Sequence, residues 1–432
     1  MIGAESSSEA AARPAPSDLP ATASSEKTLE RAIPIAIDTL VEALQERLAH
    51  HLDSKQLAAF ALVCVRLQWL YRADQTQQFD RIRHAYAAFS PDQPHAEKPL
   101  QLSSGDEAEK LRVVKNELEV LLTKANFTQL SETVLNRALN KTSPHGVEVS
   151  IDMEQYGELA LWYRGLDSQQ VTRRNWKTLY IKPITEQVAI YRKLFLLVRK
   201  KDADINLNAS DLNTDDQDSN SIPPIHIKLF RDIPLSDLEM LFPDSKVRIR
   251  LFDKIKLGIT GGGGTVAGAA TTLTKLAAAA EPFTIIVAIG GFAAILWRQI
   301  AKIFTQRNKY LINLSKRLYF YNLDNNMGAV AYLAEMARAE DVKEAMVAYS
   351  FLIERSMEEG MSRTQLDASI EEFLNQRFDC RLDYEVADGL RKLIFDGLVT
   401  DSAGDSLFAV DPEQANQLLE QRWEKLLPSS NQ

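Results

Sequence analysis

The sequence predicts an α+β fold, mostly helical: a helical N-terminal region with a small sheet, a two-helix transmembrane hairpin and a C-terminal winged-helix-like module. Three observations carry this expectation. Apolar residues recur at three- and four-residue steps toward both ends of the chain. Between residues 147 and 229 the period falls to two. Two charge-free runs, Leu257 to Thr274 and Pro282 to Trp297, lie inside a basic collar.

Residues 1–33 are rich in Ala, Ser and Pro and hold few large apolar side chains. They bury too little to offset their ordering entropy, so a disordered tail is expected. Residues 34–245 are expected as a cytoplasmic α+β domain. Ile37, Leu40, Val41, Leu44 and Leu48 make one helical stripe, and Phe60, Leu62, Val63, Leu67 and Leu70 make a denser one. A further helix is expected from about Asp106, through Leu111, Val114, Leu118, Leu121 and Leu122. Alternation at Val147–Val149–Ile151, Leu179–Ile181 and Ile225–Ile227–Leu229, with the dense run Leu194–Leu197, predicts strands. The acidic stretch 202–221 lacks the spacing of a calcium loop and reads as an exposed loop. Ser236 with Glu239 has the form of a capping box and marks a helix start.

Residues 246–317 are expected as the membrane hairpin, with helices over about 257–274 and 283–304. The two charge-free runs are 18 and 16 residues long, against about 20 for a spanning helix. Arg248, Arg250, Lys254 and Lys256 precede the first helix; Arg298, Lys302, Arg307 and Lys309 flank the end of the second. That placement predicts both outer ends, and both termini, on the cytoplasmic side of a bacterial inner membrane, or in a mitochondrial membrane in a eukaryote. The bases would meet anionic lipid head groups, making the bilayer the first expected partner. Gly258/Gly262 and Gly264/Gly268 are GxxxG spacings, and Gly290 offers a small face on the second run. They predict close helix packing, within the hairpin or between copies in a homo-oligomer. Other readings of this stretch are a buried core hairpin, one spanning helix after a re-entrant Gly loop, and a phosphate loop.

Residues 318–427 are expected as the winged-helix-like module. Val342, Ala345, Met346, Tyr349 and Leu352 form a helix stripe, Ser362 or Thr364 caps a second helix, and Tyr384 to Ile394 form a third. Val399 and Leu407 to Val410 flank a turn and predict a hairpin. From Glu340 to Lys425 there are 20 acids and 9 bases, the wrong sign for phosphate contacts. A protein partner is therefore expected here, and no nucleic acid.

The chain has 432 residues, 45% hydrophobic and 25% charged, with a net charge of −9. That charge is an average: Lys246 to Arg317 holds 12 bases and 2 acids. Two cysteines exclude a disulfide framework and a multi-cysteine zinc module. None of the six histidines stands in a metal-ligand spacing, so no metal, cofactor or catalytic residue is assigned. His50 and His51 with Asp53 read as a solvated cluster.

The stretch Ile227 to Pro243, with Asp232, Pro234, Asp237, Glu239 and Pro243, followed by Lys246 to Gly258, resembles the signature of the transmembrane protein 143-like family. Lys124–Phe127, Tyr163–Gly165 and Asn326–Gly328 resemble its smaller landmarks. The resemblance spans about Ile35 to Trp423. It implies two membrane helices just after the central motif, and no known reaction. The expected function is a membrane-held scaffold or interaction protein. The alternatives are a membrane-bound enzyme near Asp232 and Asp237, with Tyr163–Arg164 as further candidates, and an oligomeric pore built from the Gly-rich helix.

Overall fold

The structure is a computed structural model. It describes residues 30–92, 104–131, 133, 135, 147–150, 153–174, 183–201, 222–235, 238, 241–242, 246–249, 297–298, 312, 316, 318–354, 360–402 and 406–426. The helices are α1 (Ile37–Leu48), α2 (Ser54–Tyr86), α3 (Ser104–Lys124), α4 (Asn326–Glu354), α5 (Arg363–Phe378), α6 (Val386–Phe395) and α7 (Pro412–Leu426). The strands are β1 (Thr128–Gln129), β2 (Val147–Ser150), β3 (Tyr156–Arg174), β4 (Pro183–Lys200), β5 (Ile225–Pro234), β6 (Lys246–Ile249), β7 (Asn322–Asn325), β8 (Val399–Ser402) and β9 (Ser406–Ala409).

Local chemistry sets several boundaries. Asp53 caps α2 by accepting from Gln56 N at 2.8 Å, while the Gln56 side chain accepts from Asp53 N at 3.2 Å. Ser362 and Gln365 repeat that capping box at the start of α5. His51 faces Glu354 at 3.1 Å, which ties the α1–α2 corner to the end of α4.

A five-stranded antiparallel sheet has the order β1-β3-β4-β5-β7. Its centre explains the dense apolar run in β4. Phe195 and Leu197 enter a core with Ile227 and Leu229 under α2, α3 and α4. Leu194, Leu196 and Val198 face the opposite way, into a core with Phe230, Ile233, Leu238 and Phe242. A strand covered on both faces needs apolar residues at successive positions, not alternate ones. A separate ribbon pairs β2 with β6.

The third core joins the two ends of the chain. It contains Leu40, Leu44, Leu48, Phe60 and Leu67 from α1 and α2, and Met346, Tyr349, Ile370, Leu393, Leu407 and Leu419 from α4 to α7. α2 and α4 each run through two cores. Phe60 to Tyr71 of α2 and Val342 to Ile353 of α4 lie in this one. Ile82 to Tyr86 and Ala329 to Ala337 lie under the sheet.

Two expectations are corrected. Residues 30–33, expected in the tail, are ordered: Ala32 and Ile33 are buried and Glu30 bridges Leu382, while residues 1–29 lie outside the described residues. The transmembrane hairpin is corrected as well, because no helix among the described residues is long and apolar enough to cross a membrane. The fold is α+β, and the membrane-held function and the inner-membrane location lose their basis with the hairpin. Residues 257–274 lie outside the described residues, and so does 283–304 apart from Trp297 and Arg298, both exposed. Of the charge-free runs that suggested the hairpin, the second falls below the shortest spanning length, and the first, close to that limit, is mostly Gly, Ala and Thr.

α6 lies close against α4. A Cβ on Gly389 would sit 3.0 Å from the Glu344 carbonyl oxygen and 3.2 Å from the Tyr384 hydroxyl. Gly to Ala in an exposed helix raises stability by about 1 kcal/mol. Gly389→Ala is expected to do the reverse, lowering it by about 1–3 kcal/mol through overpacking. A urea midpoint measurement decides the sign.

Candidate functional site

From Glu340 to Ile353 every residue of α4 is buried. This stretch carries Glu340, Asp341, Lys343 and Glu344. Four ionisable groups inside a core require partners, and those partners come from distant parts of the chain.

Glu340 is 2% exposed. Its Oε2 accepts from Ile33 N at 2.9 Å, and its Oε1 accepts from Lys343 Nζ at 2.7 Å and Arg164 Nη2 at 3.0 Å. Lys343 also donates to the Ile33 carbonyl oxygen. Arg164 donates its other guanidinium arm to the Ala125 carbonyl oxygen at 3.1 Å. Two cations around one carboxylate, each with a second acceptor, form a satisfied network rather than a vacant site.

Glu344 sits on the same helix face. Asn126 Nδ2 approaches its Oε1 at 3.4 Å, and the Tyr384 hydroxyl donates to its carbonyl oxygen at 2.8 Å. Burial pushes the Glu344 carboxyl well above the ordinary carboxylate range; the nearby Glu340, Asp388 and Glu385 carboxylates push the same way, and Asn126 opposes them. Glu344 therefore holds its proton to higher pH than an ordinary carboxyl.

A second cluster joins α2, α4, α6 and α7. Lys392 pairs with Asp341 and lies 5.2 Å above the Tyr71 ring. Burial pushes its ammonium down to about 6; Lys124 adds to this, while Asp396 and Asp74 oppose it. Asp396 is pushed up to about 6, first by burial, against Arg422 and the Tyr71 hydrogen bond. Tyr71 donates to Asp396 at 3.2 Å, and Arg422 bridges Asp396 to Asp74. Displaced titrations of this kind mark functional sites and structural ion networks alike. Here the groups engage one another beneath packed side chains, and the arrangement acts as a clamp between α2 and α4 on one side and α6 and α7 on the other.

Two of the three small sequence landmarks take part in the contacts of Glu340 and Glu344, and the third holds the start of α4 to β5. Lys124–Phe127 is the C-terminal cap of α3. Asn126 adopts φ 59°, and Phe127 N bonds the Leu122 carbonyl oxygen at 2.8 Å, as in a left-handed helix end. The same turn aims Asn126 at Glu344. In Tyr163–Gly165, Arg164 reaches Glu340, and Gly165 adopts φ +71° with room for a Cβ only 2.9 Å from Glu30 Oε1. Glu30 there pairs with Arg192 at 3.1 Å. In Asn326–Gly328, Asn326 accepts from Ile227 N at 3.2 Å and donates to Asp92 Oδ2 at 2.7 Å.

The other sequence candidates are scattered. Asp232 is exposed in β5 at φ 50°, a local irregularity of the strand. Arg164 stands two strands away, in the register Arg164–Lys193–Arg231. Pro234 ends β5. Asp237, Glu239 and Pro243 lie outside the described residues. Of the residues considered for an enzymatic centre, Asp232 is exposed on β5 and Arg164 is bound to Glu340. Arg248 lies in β6 and Arg298 is exposed. Arg250, Lys254, Lys256, Lys302, Arg307, Lys309 and the glycines Gly258, Gly262, Gly264, Gly268 and Gly290 lie outside the described residues. Among the described residues no group of three metal-ligating side chains converges.

Sequence reasoning missed the charged quartet of α4. Charges at four of five positions carry no apolar period of their own, and the stripe of Val342, Ala345, Met346, Tyr349 and Leu352 is the one signal that this helix is packed.

Residues 191–328, less than half of the chain, match the model of a family described as protein of unknown function (DUF3754). The matched part holds the second half of β4, β5, β6, β7 and the Asn326–Gly328 turn, so the chain is similar to that family over part of the sheet and the start of α4. No solved structure matches the chain.

Glu340→Ala would strand Arg164 and Lys343 without their acceptor. A loss of about 3–5 kcal/mol in unfolding free energy is expected from urea titration; a loss below about 1 kcal/mol would show that the network holds nothing in place. Glu344→Gln gives a pH signature. The folded parent keeps the Glu344 proton above the ordinary value of 4.5, so its stability falls as pH rises past that value. The amide variant escapes this fall. It is expected to melt above the parent at pH 8 and level with it at pH 4.

Proposed function

We propose that this chain is a protein-interaction protein, and that its partner docks on the outer face of α2 beside α7. What supports the reading is a stripe of exposed apolar side chains on α2: Leu62, Val65 and Trp69, which are 44%, 47% and 56% exposed. Their spacing of three and four residues places them on one helix face. Single exposed apolar residues are ordinary, whereas a contiguous row is a binding feature.

The ion pair between Arg66 and Glu420, at 3.1 Å, locates α7 against this stripe. Trp69 lies one turn beyond Arg66, and the half-exposed Trp423 lies one turn beyond Glu420. The pairs Lys55–Glu413 and Arg422–Asp74 show that the two helices run in the same direction. Both tryptophans thus stand on the same side of that ion pair. Tryptophan is enriched among residues that dominate binding energy.

Charge describes the partner. The unit from Glu340 to Lys425 is strongly acidic, so the complementary ligand is an amphipathic helix with an apolar face and basic flanks. Such a helix would read the stripe through residues at i, i+3, i+4 and i+7.

A synthetic 18-residue Leu–Lys amphipathic helix, with a Leu–Glu helix as control, tests this by isothermal titration into the full chain. The Leu–Lys peptide is expected to bind at least tenfold tighter than the control and to lose its binding in Trp69→Glu. Equal binding of both peptides, or full binding by Trp69→Glu, would overturn the proposal.

A further inference from the structure

α2 and α4 enclose a groove of about 340 Å³ where both helices pass from one core to the next. Its apolar side is built from Phe79 of α2 and from Ala331 and Ala334 of α4, one turn apart. The two alanines keep that wall low and leave room above the α4 backbone. The polar end is formed by Arg72 and Gln75, again one turn apart on α2.

Among the described residues neither side chain has a hydrogen-bond or ion-pair partner, and the Arg72 charge reaches the Glu335 carboxylate only through space. Gln75 is 8% exposed, yet its Nε2 has no hydrogen-bond partner among the described residues. A buried amide in that state is a standing cost that an incoming acceptor would remove. The terminal torsion of a glutamine is soft, so the amide turns toward the groove without leaving its rotamer. Arg72 stands at the rim with its guanidinium 5.7 Å from the centre of the Trp69 ring. No carboxylate pairs with it among the described residues. A stacked guanidinium keeps its in-plane N–H groups free for a bidentate acceptor.

The other charges at the groove cancel. Arg338 donates to Glu335 at 2.9 Å, and that hydrogen bond, opposed by burial, holds the Glu335 carboxyl below its ordinary range. Glu335 stays ionised and occupied. What remains is one cation and one amide donor, side by side, at the end of an apolar trough.

We infer that this groove binds a small monocarboxylic acid with a compact apolar body. The carboxylate meets Arg72 and Gln75, and the body lies over Ala331 and Ala334 against Phe79. The volume is at the lower end of ligand sites, which run from about 300 to 1,000 Å³. Glu335, whose carboxylate already feels the Arg72 charge, repels a second carboxylate, which sets the preference for monoacids over diacids. The site is separate from the partner face of α2 except for Trp69.

The test titrates phenylacetate into the full chain, with phenylacetamide as the uncharged analogue and phenylmalonate as the diacid. Phenylacetate is expected to saturate and to bind at least tenfold more tightly than either analogue. Arg72→Gln, an exposed change that leaves the fold alone, is expected to weaken it tenfold or more. Gln75→Leu is expected to weaken it similarly while raising the melting temperature, because the unpaired amide is gone. Absence of saturable binding, or equal affinity in the parent and Arg72→Gln, would overturn the inference.

Discussion

One buried carboxylate, Glu340, fixes how the molecule is assembled. It accepts from Ile33, Arg164 and Lys343, and so joins the N-terminal segment, the sheet and α4 at one point. A buried carboxylate left alone is unfavourable by far more than any single apolar contact returns. The chain therefore has few ways to close around it. Arg164 must arrive from β3, and it brings the end of α3 through the Ala125 carbonyl. The Ile33 backbone must lie across α4, which holds the segment between Glu30 and α1 in place.

Burial of apolar surface supplies the stabilisation, and the ions set the geometry. The three cores hold most of the large side chains, and at roughly 25 cal/mol per Å² their burial dominates every ionic term. Apolar packing alone leaves the rotation of α4 poorly defined, because the helix is buried all round between Glu340 and Ile353. Its charged quartet removes that freedom. Glu340, Lys343 and Glu344 face the sheet, the N-terminal segment and the α3 cap, while Asp341 faces Lys392 on α6. Four charges in five positions act as a rotational key for a helix that hydrophobicity cannot orient.

This division explains what the sequence made legible. The α1 stripe, the Ser362 cap, the β4 apolar run and the terminal hairpin are each encoded by neighbours within about eight residues, and each is present. The quartet on α4 is encoded by partners up to 310 residues away, which no local pattern reveals. The landmarks Lys124–Phe127 and Tyr163–Gly165 stood out as motifs, but what they share appears only when Asn126 and Arg164 meet α4. The groove between α2 and α4 was illegible for a related reason. Arg72 and Gln75 look like ordinary surface polar residues until Ala331 and Ala334 are set opposite them. The expected membrane hairpin came from charge patterning within one stretch, and no described helix has the length and apolarity that reading requires.

Burial also changes how the charge of the C-terminal unit is understood. Its excess of acids between Glu340 and Lys425 is partly internal: Glu340, Asp341, Glu344 and Asp396 are buried, and so is Lys343. With these set aside, acids still outnumber bases over that stretch. The acids nearest the α2 stripe, such as Glu413 and Glu420, are on the outside of α7 and in contact with Lys55 and Arg66. Exposed pairs of that kind contribute about 0–1 kcal/mol, too little to hold α7 on α2. The hold comes instead from Asn416, whose amide donates to the Ala59 carbonyl at 2.8 Å, and from Leu419 in the shared core. The surface acids are left free to exchange their modest contacts for those of an incoming basic helix, while the face that presents the two tryptophans keeps its shape.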